Sequence, residues 1–331
     1  MAKRLRAVCS GYYGFDNFGD EAVLSVLVRT FSEKYDLTVF SANPSKTAKT
    51  YGVNSVCSFD YLQVINEIKS ADVFISGGGS LLQDVTSFKS LIYYLLLLYF
   101  AILFRKRIII FAQGIGPLNR KLSQMLVKQV MQEAELVTVR DSESLALLRS
   151  WGVSATQIND PVYNLSCCSK RVEGKVGIQL RDFSLLSESF LRGLAKAVNK
   201  YFPDKDIVLY SLQDAIDLEI CKKFSALLKA KHVCIKSQMT VEETVAELSS
   251  LETLVAMRFH AALIGFKAGV KVLPIVYDKK VRILAEETGV PYLNLNENDF
   301  DSKFENLQNL DVETIQTLMK NKKMDEKVFD I

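Results

Sequence analysis

Residues 5–21 read LRAVCSGYYGFDNFGDE: a short apolar run, the turn Gly11-Tyr12-Tyr13-Gly14, then a polar helix start at Asn17-Phe18-Gly19-Asp20-Glu21. Strand, glycine-bearing turn and helix in direct succession open an α/β fold built on a parallel sheet. The same alternation runs outward from this stretch. Apolar strand-like runs fall at residues 5–10, 37–41, 53–59, 72–76, 107–112, 136–139 and 156–158. Helical-period segments lie near 21–34, 61–70, 88–104, 122–134 and 142–150. A second series has strands at 175–180, 207–211, 233–235, 254–257 and 272–277, with helices between them. Continuous apolar strands predict parallel sheets covered on both faces. The periodicity lapses over residues 161–174, where Pro, Ser, Gly and charges cluster. The expectation is two Rossmann-like, doubly wound parallel-sheet domains, residues 1–165 and 166–298, and a charged helical tail, 299–331. Two such sheets are expected to face a cleft at the carboxyl ends of their strands, where open α/β sheets bind ligands.

Composition narrows the class. The chain has 331 residues, 49% hydrophobic and 24% charged, enough for two globular cores. Its 41 Lys plus Arg stand against 38 Asp plus Glu, a net charge of +3. That balance, with no basic stripe interleaved with aromatics, argues against nucleic acid. The six cysteines form no C-x-x-C pair, and Cys167 and Cys168 are adjacent. Several, among them Cys9, Cys57 and Cys234, sit in apolar strand-like runs, which predicts reduced thiols acting as small hydrophobes in a reducing cytoplasm. The N-terminus, MAKRLR, runs straight into a strand and lacks the apolar core of a signal peptide. Residues 91–104, LIYYLLLLYFAILF, hold 14 positions without a charge and precede Arg105-Lys106-Arg107. At 1.5 Å per residue this helix spans about 21 Å, short of a bilayer core of ~30 Å. It has two readings: a helix buried on most sides, or one whose outer face meets an anionic membrane beside the basic cluster.

Chemistry is expected directly after strands. In the first turn, the carboxylates of Asp16, Asp20 and Glu21 would repel a pyrophosphate, and the spacing departs from G-x-G-x-x-G. Carboxylates and aromatics instead suit sugar hydroxyls, so Tyr12, Asp16, Asn17 and Glu21 are candidate acceptor-binding residues. Asn17 or Asp20 caps the following helix. Ser76-Gly77-Gly78-Gly79-Ser80 and Gln113-Gly114-Ile115-Gly116-Pro117 follow two further strands, with Gly78 and Gly79 offering backbone N–H groups to an oxygen-rich ligand. Arg140, Arg181, Arg258 and Lys280 each follow a strand, a set suited to a small polyanion. His260, one of two histidines, stands two residues past Arg258 as a candidate acid or base. His232 reads as an exposed loop residue.

GYYGFDNFGDEA, SGGGSLLQD, QGIGP, VRDSESLALLRSWGV and MRFHAALIGFKAGVKVLPIVYDKKV, in this order from about residue 8 to residue 295, together resemble the polysaccharide pyruvyl transferase family. The resemblance looks closest to its bacterial cell-wall branch, the CsaB type. It implies a fold like that of the two-Rossmann-domain (GT-B-like) glycosyltransferases, and ketal-forming transfer of a pyruvyl group from phosphoenolpyruvate. The implied acceptor is an N-acetylmannosamine-type sugar of a cell-surface polysaccharide or of its lipid-linked precursor, carried on undecaprenyl diphosphate. By the family's motif His260 is catalytic, Arg258 and Lys280 hold the donor, and Arg140 and Arg181 fall on positions that the family keeps basic. Lys279 departs from the pattern, standing where the motif has proline. The reaction also needs a hydroxyl base, for which Asp16, Asp20 and Glu21 are the candidates and Asp20 is assigned. It calls for no cofactor and no metal. The first domain is expected to face the acceptor and the second the donor, in the cytoplasm or at the inner face of the plasma membrane. Other readings are a GT-B-type glycosyltransferase using a nucleotide sugar and a non-catalytic sugar- or polyanion-binding protein. The missing fingerprint disfavours a nicotinamide dehydrogenase.

Overall fold

The computed structural model describes residues 4–85, 87–167 and 170–330. The chain divides into two compact units: residues through Asn164 together with those from Lys323 onward, and Leu165–Lys322.

In the first unit β1 (Leu5–Ser10), α1 (Phe18–Phe31), β2 (Tyr35–Ser41), α2 (Pro44–Tyr51) and β3 (Asn54–Cys57) form the first half. Then α3 (Tyr61–Ser70), β4 (Val73–Ser76), α4 (Phe88–Leu103), β5 (Arg107–Gln113), α5 (Lys121–Gln132), β6 (Leu136–Val139), α6 (Ser142–Ser150) and β7 (Thr156–Gln157) follow. The seven strands are parallel in the order β3-β2-β1-β4-β5-β6-β7. Strands covered on both faces need continuous apolar sequence, and β5 (RIIIFAQ) buries every residue after the first. Val64 and Ile68 of α3, Leu91, Leu95 and Leu98 of α4, and Val127 and Val130 of α5 join one core with Phe74 and Ile110 of the sheet. These three helices therefore share a face. Helix starts follow from local chemistry: Asn17, Asp60, Ser87 and Asp141 each cap a first turn with a side-chain oxygen, worth about 1 kcal/mol apiece.

The second unit runs β8 (Lys175–Gln179), α7 (Glu188–Tyr201), β9 (Asp206–Tyr210), α8 (Asp214–Ser225), β10 (Val233–Lys236) and α9 (Val241–Ser249). It continues through β11 (Thr253–Ala256), α10 (Phe259–Ala268), β12 (Lys271–Val276), α11 (Lys279–Thr288), β13 (Leu293–Asn294), α12 (Phe300–Gln308) and α13 (Val312–Lys320). Its six parallel strands lie in the order β10-β9-β8-β11-β12-β13. In both sheets the order reverses beside the first strand, between β1 and β4 and between β8 and β11, which is where such sheets open a crevice.

Several details differ from the sequence reading. Helix α2 and strand β13 are additional. The segment from residue 299 onward is shared between the units. Helices α12 and α13 belong to the second, whereas Phe329 is fully buried in the first, its ring 5.3 Å from Phe31 and 5.1 Å from Phe111. Cys9 and Cys221 are buried, and burial pushes both thiols up to about 12. Cys234 is exposed, because β10 is an edge strand, so it is not the core hydrophobe expected; Cys168 and the MAK start lie outside the described residues. Arg107 leaves the basic cluster after α4, because it opens β5 and forms a two-pronged bond with Glu135 at 2.8 Å. Among the described residues no helix is long and apolar enough to cross a membrane.

Candidate active site

In the second unit, register brings the predicted cations to one level. Ala256 of β11 pairs with Gln179 of β8 on one side and Pro274 of β12 on the other. Arg258 and Arg181 each leave the sheet two residues past that line, and Tyr277 follows the last residue of β12. Arg258 is largely buried and anchored from three directions. Its backbone N–H donates to Gln179 Oε1 at 2.7 Å, its Nε and Nη2 donate to the two oxygens of Asp217 at 2.7 and 2.6 Å, and Nη2 also donates to Gln213 Oε1 at 3.1 Å. Asp217, with its side chain 0% exposed, also accepts from Leu212 N–H at 3.1 Å and Gln179 Nε2 at 3.3 Å. The guanidinium is thus fixed and its charge locally balanced.

Arg181 is half-buried over the Tyr277 ring, 5.7 Å from its centroid, and its buried Nε has no hydrogen-bond partner among the described residues. Burial pushes the Tyr277 hydroxyl upward, Asp278 adds to this, and Arg181 and Arg258 oppose it. Asp278 caps α11 by accepting from Val281 N–H at 2.9 Å. Lys279 and Lys280 stand exposed in that first turn. His260 is the second residue of α10, half-buried, its ring edge-on to Phe259 at 5.1 Å. The first turns of α10 and α11 carry no carboxylate beyond the Asp278 cap, so the positive ends of both helix dipoles lie at this strand edge. This strand edge of the second unit can hold a compact anion carrying more than one negative group.

The first unit divides its candidates into two groups. Asn17 caps α1 by accepting from Gly19 N–H, and its Nδ2 donates to Asp20 Oδ2 at 2.5 Å. A Cβ placed on Gly79, whose φ is +104°, would lie 3.1 Å from Asp20 Oδ1. Asn17, Asp20 and Gly79 are therefore together. Glu21 is committed elsewhere: one oxygen accepts from Gly14 N–H at 2.7 Å and the other from Tyr51 Oη at 2.8 Å. Burial pushes its carboxyl upward, with those two bonds opposing. Asp16, in a left-handed conformation, pairs with Lys46 at 2.6 Å on the surface. Tyr12 stacks on Phe15 at 4.1 Å.

Two glycine turns serve packing. The Tyr13 side chain is fully buried between the ends of β1 and β4: a Cβ on Gly77 would fall 1.9 Å from its Oη, and one on Gly11 2.3 Å from its Cζ. Gly78 is constrained by the core as well, a Cβ there meeting Val23 Cγ1 at 2.6 Å. Arg140 is almost wholly buried, donating from Nη1 to Asp160 at 2.6 Å and from Nη2 to Ser80 at 3.3 Å. Its charge is balanced within the first unit. The sequence reading missed Asp160, Gln213 and Asp217. Asp217 sits in the first turn of α8, where an acidic residue looks like an ordinary complement to the helix dipole.

Solved structures share this architecture at low identity. UDP-GlcNAc 2-epimerase from Methanocaldococcus jannaschii superposes with a TM-score of 0.64 at 10% identity, covering 98% of this chain and 95% of the other. Anabaena Alr3699/HepE, solved with UDP and glucose, gives 0.60 at 10% identity, with 99% and 97% covered. The glycosyltransferase SnogD from Streptomyces nogalater gives 0.51 at 11% identity, with 97% and 95% covered. The fold is accordingly GT-B-like, two Rossmann-like parallel-sheet domains. Residues 17–279 match the family described as polysaccharide pyruvyl transferase, and the chain belongs to that family. No curated protein matches it in sequence.

Proposed function

We propose that this protein transfers the pyruvyl group of phosphoenolpyruvate, as a cyclic ketal, onto two hydroxyls of an N-acetylmannosamine-type sugar in a cell-surface polysaccharide or its lipid-linked precursor, on the cytoplasmic side. The family match supports the transfer. The observation that carries the donor assignment is the level alignment of Arg181 and Arg258 at adjacent strand ends, with Lys280 in the first turn after β12. Phosphoenolpyruvate carries a carboxylate and a phosphate on a three-carbon frame, and the forked donors of guanidinium groups suit both.

In the proposed chemistry a proton from His260 goes to the methylene carbon of the donor, leaving the neighbouring carbon electrophilic. One sugar hydroxyl attacks that carbon and gives its proton to Asp20, whose other role is to accept from Asn17. The carbon–oxygen bond to phosphate breaks, inorganic phosphate leaves with the bonding pair, and the second hydroxyl closes the ketal and gives its proton to that phosphate; the proton held by Asp20 passes to solvent, from which His260 is reprotonated. Every atom of donor and acceptor is accounted for in ketal plus phosphate, with no redox step and no cofactor.

The test is a donor panel on the purified chain. Phosphoenolpyruvate raises the melting temperature, as any ligand preferring the folded state does, and with an N-acetylmannosamine-bearing acceptor it releases phosphate. His260→Ala lowers turnover by about 10²–10⁴-fold with unchanged melting. Stabilisation by UDP-sugars instead, with UDP released in the presence of acceptor, overturns this reading in favour of glycosyl transfer.

A further inference from the structure

The outer surface of α4 inverts the usual pattern of a solvent-facing helix, and α3 and α5 beside it each add two exposed apolar residues. Helix α4 buries Leu91, Leu95 and Leu98 against the sheet. Its opposite stripe, spaced at i, i+4, i+7 and i+11, is Ile92, Leu96, Tyr99 and Leu103, where polar side chains are expected. Leu96 is 51% exposed and Leu103 69%. The flanking helices continue the surface with Tyr61 and Leu62 on α3, and Leu122 and Met125 on α5, each more than half exposed. Six of the thirteen large apolar residues exposed among the described residues thus lie on these three neighbouring helices. An apolar surface of this extent marks an interaction face.

Charge decides the partner. Neither α4 (FKSLIYYLLLLYFAIL) nor α5 (KLSQMLVKQVMQ) contains a carboxylate. Of the carboxylates nearest by sequence, Glu67 pairs with Arg6, Asp84 accepts from the N–H groups of Asn119 and Arg120, Glu135 pairs with Arg107 and Asp60 caps α3, while Glu133 stands exposed just past the end of α5. Exposed cations flank the apolar surface at both ends, Lys89 and Lys121 at the helix starts, Lys69 and Arg105 at the helix ends. Apolar residues framed by cations, with no carboxylate within α4 or α5, match a sheet of anionic headgroups over hydrocarbon.

We propose that this face docks on an anionic lipid bilayer, with the outer stripe of α4 entering the headgroup region and the flanking cations meeting lipid phosphates. The binding is interfacial, since α4 has 16 residues, about 24 Å at 1.5 Å per residue. It stands apart from the pyruvyl-transfer reading, and its test reads lipid binding alone.

The full chain is co-sedimented with vesicles of phosphatidylglycerol plus phosphatidylcholine, and with phosphatidylcholine alone, at low and high salt. Wild type pellets with the anionic vesicles at low salt and less at high salt. Leu96→Glu/Leu103→Glu lowers the bound fraction at least about tenfold, from the apolar area lost, and Lys89→Glu/Arg105→Glu lowers it by roughly fivefold or more per charge. Both variants sit on the surface and keep the wild-type melting temperature. No pelleting with anionic vesicles at low salt overturns the proposal. So does equal pelleting of the Leu96→Glu/Leu103→Glu variant, or a dimer in lipid-free buffer that this variant abolishes, which would give the face to a second copy of the chain.

Discussion

Replacing Asp217 by Asn tests the device that holds Arg258. The substitution preserves shape and removes one negative charge from a side chain with no solvent exposure, facing a guanidinium that is 10% exposed. Asn also loses one of the two acceptor positions that now receive Nε and Nη2 at 2.7 and 2.6 Å. An uncompensated buried charge costs about 3–5 kcal/mol. In a unit the size of Leu165–Lys322, each kcal/mol lowers the melting temperature by roughly 2–4 °C, so the expected drop is about 6–20 °C. Adding Arg258→Gln removes the orphaned charge, and the double variant is expected to regain most of the loss, because deleting both partners of a buried pair is often close to neutral. Turnover with phosphoenolpyruvate is not regained, since Arg258 is gone. Differential scanning calorimetry on the wild type, the two single variants and the double variant provides the cycle. A single variant melting within about 2 °C of wild type, or a double variant no more stable than Asp217→Asn, refutes the argument.

Gly77→Ala is expected to destabilise the first unit by at least about 1–3 kcal/mol through overpacking. Tyr13→Phe should recover part of that loss by removing the hydroxyl 1.9 Å from the new methyl, while the same change should not rescue Gly11→Ala, whose clash is with ring carbon; chemical denaturation of the four variants checks it. Burial raises the Glu247 carboxyl, but hydrogen bonds from Lys175 and Lys236 outweigh it and hold the group at about 2, below its ordinary 4.5. A depressed carboxyl stabilises above its unfolded value and loses that contribution as pH falls towards 2; melting curves across this window should therefore be flatter for Glu247→Gln than for wild type. Lys280→Ala should raise the Michaelis constant for phosphoenolpyruvate more than Lys279→Ala does, and the reverse order would transfer the donor contact to Lys279.

The fold was legible because its signals are local. The apolar runs that became β1, β5 and β12 needed only their own composition to be read as covered strands. Helix α2 was missed although its Asn43 cap, Pro44 start and left-handed Gly52 end are all sequence signals. Its Pro44-Ser45-Lys46-Thr47 start buries only Thr47, so no apolar period announces it. The candidate site was legible where a residue type follows a strand end, as with Arg181, Arg258 and His260. What each group touches was not. Asp217 meets Arg258 across 41 positions of sequence, and Arg140 meets Asp160 across 20, pairings that only the crossover order of the sheet creates. Glu21 shows the opposite limit: a carboxylate in a glycine-bearing turn looks available to a ligand, yet it holds the turn's own backbone.

Tyr13 gives the first unit a kind of built-in exclusion. In dinucleotide-binding folds with doubly wound sheets, the crevice beside the first strand admits a pyrophosphate because glycines leave it empty. Here glycines stand on both sides of the corresponding space, Gly11 and Gly77, and the chain fills it with its own aromatic ring. Two small residues frame the space, and a side chain four residues upstream of the helix cap occupies it. Closure of this space is then steric and intrinsic. It persists at any ionic strength, and shortening Tyr13 would open a cavity before it opened a binding site.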